Sequence, residues 1–144
     1  MSLKVKIYSF SYLQGGIPKD NSGHGGGFVF DCRAIFNPGR QTEFKNLCGK
    51  DKEVCEFLES QSGMNDFLKN VYALVDPAIE NYLERNFESL MVSFGCTGGQ
   101  HRSVYAAEKL KDHIHEKFPG VETEIYHNEW DKKLLKKSDE KLKA

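Results

Sequence analysis

Residues 89–126 restrict the folds that are open to this chain more than any other part of the sequence. The apolar stretch 89–95 has the composition of a β-strand that is covered on both faces. After a glycine-rich turn, apolar residues recur at spacings of three and four, which predicts an amphipathic helix ending at Pro119-Gly120. Residues 121–126 predict another strand. Strand, helix and strand in this order form a βαβ unit, so the sequence predicts parallel strands.

Periodicity in the rest of the chain predicts the remaining elements. Two strands are expected at 4–12 and 28–30, and the Gly- and Pro-rich residues 13–27 between them predict a long loop. Two helices are expected between residues 51 and 85, and Pro77 should kink the second or divide it into two. We therefore expect an α/β fold with a small, mostly parallel sheet of about four strands and flanking helices.

Length and composition indicate one domain over residues 1–144, with a Lys-rich exposed tail at 131–144. The formal net charge of −1 argues against a protein that coats nucleic acid along its whole surface. The sequence has neither a signal-peptide pattern nor an apolar run near the ~20 residues that cross a membrane. The four cysteines form no C-x-x-C pair, so we expect reduced thiols, no metal site and a cytoplasmic location.

The turn between the predicted strand and helix carries the residues with the clearest chemistry. It reads Cys96-Thr97-Gly98-Gly99-Gln100-His101-Arg102-Ser103. A glycine-rich turn that opens a helix offers unpaired backbone N–H groups and the positive end of the helix dipole. Arg102 adds a two-pronged cation that suits phosphate. This segment therefore predicts a phosphate site, at the strand end where ligands bind in open α/β sheets.

The spacing from Cys96 to Arg102 and Ser103 also matches the C-x5-R-S pattern of protein tyrosine phosphatases. In those enzymes the cysteine is the nucleophile, and a thiolate at a helix N-terminus is a competent one. Gly95 stands where those enzymes usually have a histidine, and only Asp20 and Asp31 suggest themselves as general acids. A cysteine phosphatase is thus the alternative to a binding module without catalysis, and we expect no cofactor.

A longer resemblance extends over residues 4–128. Residues 95–104 resemble the signature of the C-terminal domain of the RNase adaptor RapZ family. The motifs that resemble the opening of that domain, in the same order, are Ser9-Phe10, Gly16-Ile17-Pro18, Val29-Phe30-Asp31-Cys32-Arg33 and Asn37-Pro38. Gly49 and Asp51 are similar to its G-x-D motif, and His127 follows the last strand as a histidine does there.

The resemblance implies a fold like a subdomain of phosphofructokinase and a specific function. In that family the domain binds small regulatory RNA and senses an amino-sugar phosphate, glucosamine-6-phosphate, without turning it over. By position in the motif, the phosphate-binding residues would be Cys96, Thr97, Gly98, His101, Arg102 and Ser103. We add Gly99 and Gln100 from the same turn, with Asp31, Arg33 and Arg40 in support. Asp31 and Arg33 would either orient the site or pair with each other.

Departures from the family pattern change some of these expectations. Family members commonly have a histidine directly after Asn-Pro, where this chain has Gly39 and then Arg40. The sequence therefore does not identify which sugar is bound. Basic residues after the last strand are replaced by Asn128 and Glu129, so we expect RNA binding to be weak. Family members also carry an N-terminal P-loop domain, and no G-x-x-x-x-G-K-[ST] motif occurs here. A homo-oligomer, or an interaction domain for a separate nucleotide-binding subunit, is a further alternative.

Overall fold

A four-stranded parallel sheet forms the centre of the structure, a computed structural model that describes residues 2–60 and 62–143. Its strands are β1 (Lys4–Ser11), β2 (Phe28–Asp31), β3 (Ser89–Cys96) and β4 (Glu122–His127). They lie in the order β2-β3-β1-β4, and every neighbouring pair is parallel. β3 is an inner strand, as its apolar sequence predicts, because an inner strand is covered on both faces. The predicted α/β class and four-stranded sheet are confirmed.

Helices flank this sheet. They are α1 (Lys52–Glu59), α2 (Ser62–Glu84), α3 (Arg102–Lys117) and α4 (Asn128–Lys143), with 3₁₀ turns at Pro38–Arg40 and Thr42–Phe44. α2 continues through Pro77 as one helix, so the predicted division into two helices does not occur. Val75 and Ile79 on either side of this proline are fully buried, and their packing offsets the loss of the backbone hydrogen bond that proline cannot donate. Ala144, at the end of the predicted tail, lies outside the described residues.

The hydrophobic core lies between the sheet and the helices α1, α2 and α3. Alternate residues of each strand share a face of the sheet, and Ile7, Val92 and Phe94 are fully buried on the face toward these helices. Their helical partners include Val54, Leu58, Val71, Val75, Ile79, Ala106, Leu110 and Ile114. This packing fixes β3 and α3 relative to each other, and so fixes the turn that joins them.

The strand register brings the carboxyl ends of three strands together at one edge. Cys96 at the end of β3 lies opposite Ser11 of β1, and Gly95 lies opposite Asp31 of β2. The backbone N–H of Cys32 continues the β2–β3 pairing by donating to the Gly95 carbonyl at 2.7 Å. The candidate loop 96–103 therefore begins where three strands end, as the βαβ pattern predicts.

Gly95 must remain without a side chain because the rings of Phe10 and Tyr12 cover it. A Cβ at this position would overlap the Phe10 ring and lie 2.5 Å from Tyr12 Cε2. We predict that Gly95→Ala lowers the free energy of unfolding by about 1–3 kcal/mol, the usual cost of overpacking. Gly120→Ala adds a Cβ with nothing within 4 Å and should change it by less than ~0.5 kcal/mol. Urea denaturation compares the two variants, and an unchanged midpoint for Gly95→Ala would contradict this packing.

Candidate functional site

The loop between β3 and α3 borders a cleft of about 250 Å³. Its lining residues are Asn37, Gly39, Lys45, Cys96, Thr97, Gly98, Gln100, His101 and Arg102. The loop supplies one side of the cleft, and the irregular segment between β2 and α1 supplies the other. The structure thus brings most of the predicted turn residues to one concave surface at the carboxyl edge of the sheet.

The backbone N–H groups of residues 97–101 are free donors with respect to the protein. Within residues 2–60 and 62–143, none of them donates to a backbone or side-chain acceptor. The N–H groups of residues 102–104, at the start of α3, have no intrahelical partner either, and the first such bond is from Tyr105 N–H to the His101 carbonyl. The loop therefore presents a series of unpaired donors beside the cleft.

The carbonyl groups of the same loop are, in contrast, mostly occupied. The Gln100 carbonyl accepts from the Gly49 N–H at 2.9 Å, and the Thr97 carbonyl accepts from Ser11 Oγ at 2.6 Å. The Gly98 carbonyl accepts from Lys133 Nζ at 3.2 Å. Because the backbone N–H groups are unpaired and most backbone carbonyls already accept a hydrogen bond, the loop has a partial positive character, which favours an anion.

Arg102 is 3% exposed and fastens the segment after β2 to the start of α3. Its Nη1 donates to the carbonyls of Arg33 at 2.9 Å and Ile35 at 2.8 Å, with a longer contact of 3.4 Å to Cys32. Nη2 makes one long hydrogen bond, 3.4 Å to Thr97 Oγ1. Nε is buried without a hydrogen-bond partner in the described part of the chain. The guanidinium is thus held in place but not fully satisfied by the protein.

His101 joins the loop to the opposite wall. Its Nε2 lies 2.9 Å from the Phe44 carbonyl, and a carbonyl can only accept, so Nε2 carries the proton. In the neutral ring Nδ1 is then an acceptor, and it lies 3.5 Å from where a Cβ on Gly39 would be. Burial lowers the pKa of His101, although the carbonyls of Phe44 and Leu47 partly oppose this shift. The ring is therefore neutral at pH 7.

Gln100 holds the opposite wall with its side chain. Nε2 donates to the carbonyls of Lys45 at 2.8 Å and Leu47 at 2.7 Å. Oε1 accepts from Lys133 Nζ at 3.2 Å. Gln100 is a predicted ligand-binding residue, but these contacts use both of its amide N–H donors. Its side chain maintains the cleft, and of its backbone groups only the N–H is unpaired among the described residues.

Cys96 and Ser103 connect the end of β3 to the first turn of α3. The Cys96 thiol donates to Ser103 Oγ at 3.1 Å, and both side chains are buried. Burial raises the pKa of the neighbouring thiol of Cys32 well above its usual range, and Cys96 raises it further.

The predicted supporting residues lie outside the cleft lining. Arg33 forms a two-pronged ion pair with Asp31, with N···O distances of 2.9 and 2.7 Å, and its guanidinium stacks on Tyr12. This hydrogen bonding lowers the pKa of Asp31. Of the two predicted roles for Asp31 and Arg33, the structure shows the pairing. Arg40 is exposed in the first 3₁₀ turn.

Three residues of the opposite wall were not identified as site residues from the sequence. Lys45 is exposed beside the cleft, in an irregular segment without any motif. Asn37 Oδ1 accepts from the Gly39 N–H at 2.9 Å and so shapes the turn. The Asn-Pro motif was the available signal for Asn37 and Gly39, whereas nothing in the sequence distinguishes Lys45 from other surface lysines.

Ser9, His127 and Glu108 form a buried chain of hydrogen bonds that has the residue types of a hydrolase triad. His127 Nδ1 lies 2.6 Å from Ser9 Oγ, and Nε2 lies 2.6 Å from Glu108 Oε2. The bond to His127 lowers the pKa of Glu108 to about 2. Ser9 is fully buried and offers no access to a substrate. This chain of contacts therefore fastens β1, β4 and α3 together.

The cations that the sequence offers for RNA binding are partly committed to the protein. Arg33 is paired with Asp31, and Arg102 is buried against carbonyls. Lys136 and Lys137 of α4 are exposed, beside the acidic Asp139 and Glu140. Among the described helices, none is long and apolar enough to span a bilayer.

An α/β domain with a glycine-rich loop between an inner parallel strand and a helix is the class that this architecture defines. The family model described as the RapZ C-terminal domain matches residues 3–131, and the chain belongs to this family. The sequence resemblance is thereby confirmed.

The chain is similar to longer bacterial proteins that are named nucleotide-binding protein. One from Nitrosomonas europaea is 40% identical over 114 residues, which are 79% of this chain and 38% of that protein. One from Caldicellulosiruptor saccharolyticus is 37% identical over 134 residues, 93% of this chain and 42% of that protein. One from Fervidobacterium nodosum is 41% identical over 106 residues, 74% of this chain and 36% of that protein. The chain spans about two fifths of the length of these relatives.

We predict that the domain becomes less stable as the pH falls below 6.5, because of His101. Its folded-state pKa lies below the ordinary 6.5, so the unfolded chain takes up a proton that the folded chain refuses. Stability is therefore retained above pH 6.5 and is lost from 6.5 down to the lowered pKa. Glu108, with a pKa of about 2, contributes only between pH 4.5 and 2, outside this window.

Thermal unfolding of the wild type and His101→Gln between pH 7.5 and 5 measures this effect. Glutamine retains a donor for the Phe44 carbonyl but does not titrate. The variant should show a flatter dependence of the unfolding midpoint on pH. Parallel curves for the two proteins would contradict the assignment to His101.

Proposed function

We propose that the cleft binds the phosphate group of a small phosphorylated ligand, and that the domain is a regulatory module without catalysis. One observation carries this proposal. The loop N–H groups of residues 97–101 lack protein acceptors, whereas the loop carbonyls are held by other groups. Such an arrangement favours an anion, because the donors are unpaired and the carbonyl oxygens that would repel it are held by other groups.

The side chains of the cleft support the same ligand class. Arg102 Nη2 has one long hydrogen bond and retains a further N–H for a phosphate oxygen. Lys45 is exposed at the rim and supplies a cation from the opposite wall. A volume of about 250 Å³ lies below the ~300–1,000 Å³ of cleft-type sites for drug-sized ligands, so the ligand is small.

An amino-sugar phosphate is the ligand that we favour. Membership of the RapZ C-terminal domain family supports this class. Beside the loop 96–103, the cleft offers acceptors for an ammonium or hydroxyl group. Nδ1 of neutral His101 has no hydrogen-bond donor among the described residues, and Asn37 has an amide oxygen. Gly39 leaves space next to this nitrogen, so the sugar-binding side of the cleft is wider than with a larger residue.

The geometry favours binding over the phosphatase alternative. The Phe10 and Tyr12 rings exclude any side chain at Gly95, where phosphatases usually have a histidine. Neither candidate acid retains a proton at neutral pH. Hydrogen bonds from Ser22 and Gly26 lower the pKa of Asp20 to about 2, and Arg33 lowers that of Asp31. A nucleophile without a proton donor for the leaving group has no complete route to turnover.

We also propose that the domain acts together with a nucleotide-binding domain or subunit. The names of the longer relatives support this, and the matched region is only about two fifths of their length. No G-x-x-x-x-G-K-[ST] motif occurs in this sequence, so a P-loop would have to come from another segment or chain.

Calorimetric titration with inorganic phosphate and with glucosamine-6-phosphate tests the site. We expect both to bind, and Arg102→Ala to cost roughly 1.5–3 kcal/mol of affinity, the range for hydrogen bonds to a charged group. Lys45→Met should weaken binding by up to about fivefold, as for an exposed ion pair. Lys50→Met, which changes a nearby exposed lysine outside the cleft lining, is the matched control.

The circular dichroism spectrum of Arg102→Ala should be recorded first, because Arg102 also holds the segment after β2. Within residues 2–60 and 62–143 the exposed Lys45 side chain makes no hydrogen bond or ion pair, so Lys45→Met tests the cleft independently of folding. Failure of every phosphate-bearing ligand to bind the wild type would refute the proposal. Wild-type affinity in both cleft variants would refute the site.

We predict no phosphatase turnover above background. The physical reason is that the two candidate acids, Asp20 and Asp31, both have a lowered pKa and are ionised at neutral pH. Hydrolysis of a generic aryl phosphate measures this directly, with Cys96→Ser as the control. Activity that disappears in Cys96→Ser would make the phosphatase alternative the better one.

A further inference from the structure

We infer that Lys133 of α4 positions the loop 96–103, so that the docking of α4 and the binding of a ligand to this loop favour each other. This inference rests on the proposed phosphate-binding function and extends it to an element that the loop motif does not include. The sequence predicts only an exposed Lys-rich tail from residue 131. In the structure this lysine is half-buried and faces the loop.

The contact consists of two hydrogen bonds from one ammonium group. Lys133 Nζ donates to the Gly98 carbonyl at 3.2 Å and to Gln100 Oε1 at 3.2 Å. The second acceptor belongs to the side chain that holds the opposite wall through the Lys45 and Leu47 carbonyls. A single lysine therefore contacts both the loop and the residue that maintains the other side of the cleft.

α4 lies directly behind the loop at its tightest point. Gly99 has a φ of +64°, and a Cβ there would lie 2.9 Å from Glu129 Cβ and 3.0 Å from the Ser11 backbone nitrogen. Trp130, one residue further, is 6% exposed in a small cluster with Cys48 and Val104. The first turn of α4 is thus fixed by packing. Lys133 lies four residues after Glu129, on the same side of the helix.

The direction of a peptide unit explains why this contact matters for an anion. In a trans peptide the C=O of one residue and the N–H of the next point in opposite directions. The ammonium of Lys133 fixes the Gly98 carbonyl toward α4, so it fixes the Gly99 N–H away from α4. That N–H is one of the unpaired donors of the loop. Glycine at both positions permits the opposite orientation of this peptide, which would present a carbonyl instead, and the contact with Lys133 disfavours that orientation.

The charge of Lys133 also reaches the cleft. Burial is the main cause of the lowered pKa of His101, and the positive charge of Lys133 lowers it further. A cation that influences His101 also contributes to the potential that an incoming phosphate meets. Because coupling between two binding events is reciprocal, ligand binding should in turn strengthen the docking of α4.

The test uses the full chain and inorganic phosphate as the probe. Lys133→Met removes the ammonium but keeps the length and apolar character of the side chain. We expect it to weaken phosphate binding roughly 3- to 10-fold, as for a partly exposed charged hydrogen bond. Lys136→Met, an exposed lysine on the same helix, should bind as the wild type does. Lys133→Arg, which retains the charge and several donors, should recover part of the affinity.

Two further readouts separate positioning from a general loss of structure or charge. In ligand-free NMR spectra, Lys133→Met should shift the amide resonances of Gly99 and Gln100 and leave those of the sheet unchanged. Phosphate should slow amide hydrogen exchange in α4 of the wild type, and slow it less in Lys133→Met.

The possible outcomes separate this inference from the proposed function. Absence of phosphate binding to the wild type overturns the proposed function, and the ligand-free Gly99 shift still decides whether Lys133 positions the loop. Wild-type affinity in Lys133→Met, or an equal loss in Lys136→Met, overturns the inference while the proposed function remains. An unchanged Gly99 resonance in Lys133→Met overturns it as well.

Discussion

The buried guanidinium of Arg102 is the interaction on which the site depends. Arg102 is the first residue of α3, and its guanidinium donates to the carbonyls of residues 32, 33 and 35, just beyond the end of β2. A charge that is 3% exposed is stable only when several acceptors surround it, so this segment and α3 must keep their relative positions. The cleft exists because the chain after β2 is held at this distance from the loop.

Three consecutive residues at the start of α3 share this task. Gln100 and His101 hold the carbonyls of residues 44, 45 and 47, while Arg102 holds those nearer to β2. On the other side of the loop, Ser11 and Lys133 hold the loop carbonyls. The polar side chains around the loop thus bind mostly protein carbonyls, whereas the backbone N–H groups of residues 97–101 have no acceptor in the described part of the chain. This division explains how a site rich in motif residues can leave few of their side-chain donors free.

The fold and the loop could be predicted from the sequence because the residue patterns that indicate them lie in contiguous stretches of the chain. The apolar strand, the turn and the helix follow one another in residues 89–118, and their order alone defines the edge of the sheet where the loop lies. The opposite wall is different. Lys45 lies near the loop only through contacts such as that of Gln100, which spans 55 positions in sequence. No local pattern encodes such a contact.

Side-chain roles within the motif were harder to predict than the motif itself. From the sequence, Asp31 and Arg33 could either orient the site or pair with each other. Their pairing depends on where β2 ends and on the position of the Tyr12 ring under the Arg33 guanidinium, and tertiary packing determines both. Gln100 has the chemistry of a ligand contact, yet its amide is used by two carbonyls. Lys133 lies in a segment whose composition indicates solvent, and only the packing of Trp130 brings its helix to the loop.

The contacts that hold the wall opposite the loop have an evolutionary consequence. Gln100, His101 and Arg102 bind carbonyl oxygens of residues 32–47, and every amino acid supplies a carbonyl oxygen. The exposed side chains in this stretch can therefore be exchanged without removing the carbonyl oxygens that anchor it. Position 39 lies next to His101 Nδ1, and a Cβ there would lie 3.0 Å from Asn37 Oδ1, so a side chain requires only a small shift of Asn37. Under the proposed function, the wall opposite the loop could change with the ligand while the loop that holds the phosphate stays the same.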